Sequence, residues 1–410
     1  MTDAILKPRE ASGRALLMLS AYLILVTALV RLGTSLYLPA LPAMADGLGL
    51  SAQHMAATMT VYLVGFAVAS IFLGPVSDHW GRKLLLQGGV IAFGVGSLLC
   101  ALAPSYGLLV SGRILQSVGG AAVQVGSRAM SRDAFSDAQM ISVLGWIGVI
   151  TGLVPVLAPM LGGLLTQWLG WHSNFYLLAA GAVLVMLSTR GLVGESLPAD
   201  RRTPFRLAET LRAYGDMLVS PGFMLPTIPI MLCFAVQGAY LVAAPFIFIH
   251  VLNMSPLAFG FTSLALVGGL LLGRLICMEA LKRWGEYGAF LTGAGVALIG
   301  GLCSLGVVLA GSMSVVAILG ASAVFCIGFG ALVPIGMKAG LSVFADRVGT
   351  SSALYGCLTL GATALGSGVV GGMLERSARD IDLLCLATFI ASVLILLSSL
   401  TCRRVLSKAA

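Results

Sequence analysis

The densest cluster of polar chemistry in the sequence is GPVSDHWGRK, residues 74–83, where Asp78, His79, Arg82 and Lys83 crowd beside Gly74, Pro75 and Gly81. A carboxylate one helical turn before a guanidinium suits ion pairing. Asp78 has three candidate partners: Arg82, a basic residue of another loop, or the positive N-terminal end of another helix. Gly74 and Pro75 are expected to break the preceding helix, and Gly81 to permit a tight reversal. Two further cations, Arg31 and Arg113, stand inside apolar runs. A charge at mid-membrane costs about 3 kcal/mol or more, so such residues mark function by default. Either both line a water-filled chamber, or Arg31 snorkels to lipid headgroups and Arg113 donates to backbone carbonyls. Tyr62, Gln116, Gln124, Gln237, Tyr240, Phe325, Phe329 and Tyr355 are candidates for an apolar wall with polar points that suits amphipathic organic molecules. Ordinary helix packing is the alternative for each. Hydrolytic and metal chemistry find no footing: there is no HExxH, no embedded Asp pair, no Ser–His couple at one depth and no CxxC. No metal or cofactor is expected.

The elements that carry these residues follow from composition. Of 410 residues, 58% are hydrophobic and only 10% charged, against about 25% charged in soluble domains. Such a chain cannot cover a water-facing surface and must use the lipid bilayer as solvent. The net charge of +8 is scattered one or two residues at a time, which excludes a nucleic-acid patch. The 52 glycines suit closely packed membrane helices. A bilayer core of about 30 Å needs about 20 apolar residues per helix. Twelve runs meet this: 15–37, 56–76, 84–104, 106–129, 140–166, 174–194, 222–248, 257–278, 288–310, 314–338, 350–374 and 382–402. Lys7, Arg9 and Arg14 before the first run give it the look of a signal peptide. Its length and the lack of a small-residue cleavage site make it the first span instead.

Charge sets the orientation. Of 24 Lys and Arg, all but Arg31, Arg113, Arg274, Arg376 and Arg379 fall in the termini, the alternate loops or the central segment. The positive-inside rule places both termini in the cytoplasm. The longest polar stretch, 195–221, divides the spans six and six, with an amphipathic part from Phe205 to Leu218 expected along the membrane surface. The expected organisation is a cytoplasmic N-terminus (1–14), a six-helix half (15–194), a cytoplasmic linker (195–221), a second six-helix half (222–402) and a cytoplasmic tail (403–410). A weak repeat crosses the divide: Trp80-Gly81 in VSDHWGRK maps onto Trp284-Gly285 in ALKRWGEY. Two parallel halves joined by a linker are a transporter architecture, with the substrate site between them.

Several motifs carry a family resemblance. GPVSDHWGRK resembles the loop 2–3 signature of the major facilitator superfamily. GRILQSVGGA (112–121) is similar to its fourth-helix signature, with Arg113 and Gln116 at the key positions. VPVLAPMLGG (154–163) resembles the fifth-helix antiporter signature, with Pro155, Pro159, Gly162 and Gly163 in place. LYLPALP (36–42) and SRDAF (131–135) are similar to segments of bicyclomycin and chloramphenicol exporters. The chain thus resembles the Bcr/CflA branch of the drug:proton antiporters, in layout over all twelve spans and in motif over the first half.

The resemblance implies an all-α membrane protein of two pseudo-symmetric six-helix halves. It would work as a monomer in the bacterial inner membrane, exporting a small amphipathic compound or drug against inward proton flow. It also implies that Asp78 caps the N-terminal end of helix eleven, VGTSSAL (348–354), through Thr350 or Ser351. Gly74, Asp78, Gly81, Arg82 and Lys83 then form a conformational latch. Bicyclomycin-type exporters carry an acid just before YLPALP, where this chain has Ser35. No span interior holds Asp or Glu; Glu279, at the end of span eight, comes nearest. Arg31 and Arg113 lie at a similar depth, about 10 Å below the outer surface, and are expected to face one chamber. That positive, acid-free cavity favours a rival substrate, an anionic metabolite such as a siderophore or organic acid. An intramembrane enzyme or a receptor is the remaining alternative, with no motif and no soluble sensing domain to support it.

Overall fold

The computed structural model describes residues 13–135, 137–189, 194–197, 207–344 and 347–406. Lys7, Arg9, Arg190, Arg201, Arg202, Arg206 and Lys408 lie outside these residues, as do Phe205 and most of the terminal segments. In hydrocarbon a backbone amide has no water to bond, so each spanning segment must satisfy its own amides as a helix. The described chain obeys this. The long helices are α1 (Gly13–Ser35), α2 (Ala52–Trp80), α3 (Arg82–Ala101), α4 (Tyr106–Ala134), α5 (Asp137–Leu169) and α6 (His172–Thr189). After the linker come α7 (Pro221–Pro245), the continuous run Pro256–Leu309, α10 (Val315–Ser342), α11 (Val348–Gly371) and α12 (Arg379–Thr401).

The 54-residue run would be about 80 Å long as a single helix, far beyond the membrane core. It breaks at Gly285, whose φ of 67° and ψ of −174° are non-helical, into α8 (256–284) and α9 (286–309). Among the described residues ten helices are long and apolar enough to cross a membrane, with that run counted once and α6 a shorter apolar helix. Splitting the run and adding α6 completes twelve spans. An even number puts the start of α1 and the end of α12 on one face, here called the terminal face; the other is the distal face.

The repeated Trp-Gly pair has a shared structural role. Gly81 has φ 106° and Gly285 φ 67°, a region that side chains with a Cβ rarely enter. Each reverses the chain between consecutive spans on the terminal face. Trp80 and Trp284 beside them are 59% and 62% exposed, as suits aromatic residues at a membrane–water boundary. The expected helix break at Gly74 and Pro75 does not occur: α2 runs through both to Trp80. Proline there removes one amide hydrogen bond close to the helix end, and the flanking turns carry the helix on to Gly81. Span four is also longer than expected and carries Arg128 and Arg132 on α4 rather than in a loop. After the linker, the amphipathic helix Leu207–Leu218 buries Tyr214 and Met217 and exposes Arg212 and Asp216.

Within the first six spans α4 packs on α1, α2 and α3, α6 packs on α3, and α1 packs on α5 and α6. In the second six, α10 lies against α7, α8 and α9, while α7 and α9 also contact α12. The two sets meet along α2 with α11 and along α5 with α8. The polar contacts across these seams lie toward the distal face. Thr60 Oγ1 and Ser367 Oγ are 2.9 Å apart, and Ser263 donates to the Val156 carbonyl at 2.9 Å. Arg376 pairs with Asp46 at 2.7 Å and donates to the Leu50 carbonyl at 3.2 Å. The Asp46–Arg376 pair is partly exposed, so it contributes under about 1 kcal/mol. Close backbone packing carries the seal. A Cβ on Gly163 would run into the Pro256 carbonyl, and one on Gly260 into the Pro159 carbonyl.

Candidate functional site

Among the described residues Arg113 is one of the largest fully buried side chains. It sits on α4, two turns from the distal end, and its side chain is 0% exposed. The guanidinium lies between two phenol rings, 4.1 Å from the centroid of Tyr37 and 4.1 Å from that of Tyr62. Nη2 donates to the Tyr37 hydroxyl at 2.8 Å, and Nη1 donates to Gln116 Oε1 and to the Gly33 carbonyl at 3.4 Å. Gln116 passes the chain on, donating to Ser97 Oγ at 2.8 Å, while the Tyr37 hydroxyl donates to Met59 Sδ. Among the described residues Arg113 Nε and the Tyr62 hydroxyl have no hydrogen-bond partner.

No carboxylate bonds this charge among the described residues. Aromatic faces and carbonyl dipoles take that role, at about 2 kcal/mol per desolvated cation–π contact and about 1.5–3 kcal/mol per charged hydrogen bond. The expectation that Arg31 and Arg113 face one chamber is therefore corrected. Tyr37 and Tyr62 close over Arg113, which is fully buried, whereas Arg31 is half-buried. Ser35, the last residue of α1, is also half-buried.

The other wall candidates divide. Gln124, Gln237 and Tyr240 are partly accessible. Tyr62 covers Arg113 instead of lining a wall. Phe325, Phe329 and Tyr355 are buried within the core of the second half, with Phe329 edge-on to Phe234 at 5.0 Å. Helix packing consumes their apolar area in this structure. Pro155 and Pro159 lie inside α5, and Gly162 and Gly163 follow on the stretch that meets α1 and α8. The antiporter-like segment is thus part of the distal seam.

On the terminal face, Arg82 gathers the opening cluster. It is buried, forms an ion pair with Asp78, bonds Asp133 Oδ2 at 3.0 Å through Nε, and donates to Ser77 Oγ at 2.9 Å. Gly81 turns the chain so that the amides of Arg82 and Lys83 point outward at the start of α3. There the Glu195 carboxylate accepts both, at 2.9 and 3.3 Å. An anion at a helix N-terminus satisfies orphan donors and complements the dipole. Gly74, one turn ahead of Asp78 on α2, has open space where its Cβ would stand. Of the three partners open to Asp78, the structure records Arg82. The start of α11 corrects one detail. Its N-cap position is Arg347, without a side-chain cap, and Thr350 and Ser351 lie inside the helix.

Sequence reasoning missed Asp133, Glu195, Tyr37, Asp46 and Arg376. Asp133 and Glu195 bear the same signal as Asp78, an acid in loops that topology wants positive. Arg376 bears the converse signal, a cation on the face that should lack them.

Twelve membrane helices in two packed sets, meeting along two seams, define the architecture of a secondary transporter. The Major Facilitator Superfamily profile matches residues 23–367, and the chain belongs to that family; it is a transporter, not an enzyme. It is 31% identical over 264 residues to the uncharacterized MFS-type transporter YdgK of Bacillus subtilis (strain 168), an alignment covering 63% of this chain and 66% of that protein. It is 30% identical to the multidrug resistance protein MdtL of Salmonella heidelberg (strain SL476), covering 79% of this chain and 80% of the relative. A chloramphenicol resistance protein of Pseudomonas aeruginosa is 28% identical over 83% of this chain and 80% of its own length. Among solved structures, a peptide transporter in complex with sulfate superposes with a TM-score of 0.74 at 15% identity, covering 98% of each chain. A bacterial homolog of the human lysosomal transporter Spinster, in an inward-facing and unoccupied conformation, gives 0.72 at 15% identity over 97% of this chain and 99% of its own. These structural likenesses establish the fold.

Proposed function

We propose that this transporter exports small amphipathic organic compounds, including drugs, across the bacterial inner membrane by proton antiport, as a monomer with both termini in the cytoplasm. The observation that carries this reading is the likeness to multidrug and chloramphenicol resistance proteins over about four fifths of both chains. The basic bias of one set of loops supports the orientation, and the antiporter-like segment on α5 supports exchange. The division into two six-helix halves with a linker at 195–221 supplies the rocking bodies, with the seams α2/α11 and α5/α8 as the surfaces that open and close. In respiring inverted vesicles, chloramphenicol is expected to accumulate and to discharge the internal acidity reported by an acridine dye. Accumulation without proton movement would sink the antiport; no accumulation of chloramphenicol or any compound of a drug panel would sink the export reading.

The terminal-face cluster of Gly74, Asp78, Gly81, Arg82 and Lys83 serves as the conformational latch in this scheme. Asp78 is half-exposed, so its pairing contributes at most about 1 kcal/mol to stability. Asp78→Asn is therefore expected to insert and fold like the parent while transporting at least threefold more slowly. Equal transport rates at equal membrane levels would leave only a solvated turn.

A further inference from the structure

The loops of the distal face hold two cations, Arg376 and Arg379, against the bias that keeps basic residues on the other side. Arg379 is spent locally on Glu375, at 3.8 Å on exposed surface. Arg376 reaches across the molecule. It stands in the turn between α11 and α12, in the second half, and its Nη1 meets Asp46 Oδ1 of the first half at 2.7 Å. Nη2 donates to the Leu50 carbonyl at 3.2 Å. The guanidinium carbon lies 5.6 Å from the ring centre of Phe246, just past the distal end of α7, where the short helix Leu41–Gly47 also packs. One side chain thus bridges segments of both halves at the distal mouth.

Its backbone is held in an unfavourable shape to do this. Arg376 has φ 59°, a left-handed conformation that a Cβ makes costly. Asp380, in the first turn of α12, holds it there. The carboxylate is buried, and its two oxygens accept the amides of Glu375 and Arg376, each at 2.9 Å. The acid grips the main chain of Arg376 and leaves the guanidinium to reach the first half. These amide bonds lie within the second half, whereas those to Asp46 and Leu50 join the halves. Parting at the distal face breaks the second set and leaves the first intact, so the turn stays shaped for closing again. The bridging pair is partly exposed, and a weak contact of that kind can be broken in every cycle.

We propose that Arg376 is a bolt that shuts the distal mouth during the transport cycle, and that Asp380 is the positioning residue that presents it. This rests on the reading that the two halves rock about their seams. Removing the bolt shifts the resting equilibrium toward the distal-open state. Asp380→Asn acts the same way, through Arg376. A carboxamide offers one acceptor oxygen in place of two, so one buried amide of the turn loses its partner and the turn gives up its shape.

The test reads opening of the distal seam, without transport. Ser367 is buried, stands 2.9 Å from Thr60 across that seam, and lies one turn from the distal end of α11. Ser367→Cys therefore reports opening. The protein is placed in phosphatidylcholine nanodiscs and treated with sulfonatoethyl methanethiosulfonate. Mass spectrometry that localises the label to residue 367 keeps the native cysteines from interfering. Arg376→Gly suits the positive φ and removes only the side chain; it is expected to raise the labelling rate at least fivefold. Asp380→Asn should raise it at least threefold. The double variant should label no faster than Arg376→Gly, because the two residues act as one unit. A rate unchanged by Arg376→Gly would overturn the bolt. A parental rate in Asp380→Asn with a lowered thermal midpoint, or effects that multiply in the double variant, would overturn the positioning role and leave a helix-start contact. Parental transport with Ala56→Cys cross-linked to Gly371→Cys would overturn the rocking of the halves, and the bolt with it. If the labelling shifts hold while vesicle export fails, the export reading falls and the distal bolt stands.

Discussion

Gly163→Val is expected to reduce transport by more than tenfold while leaving membrane insertion near the parental level. Insertion depends on the summed apolar transfer of each span, to which valine adds. Transport depends on how closely α5 approaches α8. The new Cβ would overlap the Pro256 carbonyl, a backbone atom that no rotamer change can move aside. Overpacking of this kind costs about 1–3 kcal/mol. Here the strain is relieved by parting the two halves at the distal seam, which also breaks the Ser263 bond to the Val156 carbonyl. Initial rates in inverted vesicles at matched protein level give the first readout. Cross-linking of Ala56→Cys to Gly371→Cys, which sit together on the other seam, gives the second. A parental rate with parental cross-linking would show that this close approach does not govern the cycle.

Arg113→Lys should impair transport nearly as much as Arg113→Ala, each by at least tenfold. The guanidinium meets Gln116, Gly33 and Tyr37 while both its faces lie against phenol rings. An ammonium has neither the plane nor the fork to repeat this. Losing two charged hydrogen bonds and one stacked face removes about 5–8 kcal/mol of local interaction, and it leaves Gln116 and Tyr37 short of a partner. That energy is held where α1, α2 and α4 converge, so its loss loosens their arrangement without unfolding the spans. Full activity of the Lys variant would mean that the pocket needs only a positive charge.

Much of this was legible in the residues alone. Twelve spans follow from run length, because hydrocarbon leaves an unpaired amide no alternative to the helix and each span is selected by its own transfer free energy. The reversals at Gly81 and Gly285 are local too, since positive φ selects glycine wherever it recurs. Arg113, Asp78 and Arg82 stood out because charge is scarce in an apolar chain. Their partners were not legible. Tyr37 closes on Arg113 from the turn after α1 and Tyr62 from α2, Glu195 reaches α3 from beyond α6, and Arg376 meets Asp46 across the whole chain. Gly74 and Pro75 looked like a helix end and are not one. Phe325, Phe329 and Tyr355 stand packed in the core of the second half, a burial that residue type alone does not show. Which face of a span turns inward depends on its rotation and tilt. Those are settled by packing against neighbours at glycines such as Gly162 and Gly163, where backbone meets backbone. Transfer free energy places each helix in the membrane; the contacts between helices decide which side chains meet, and only the assembled bundle contains them.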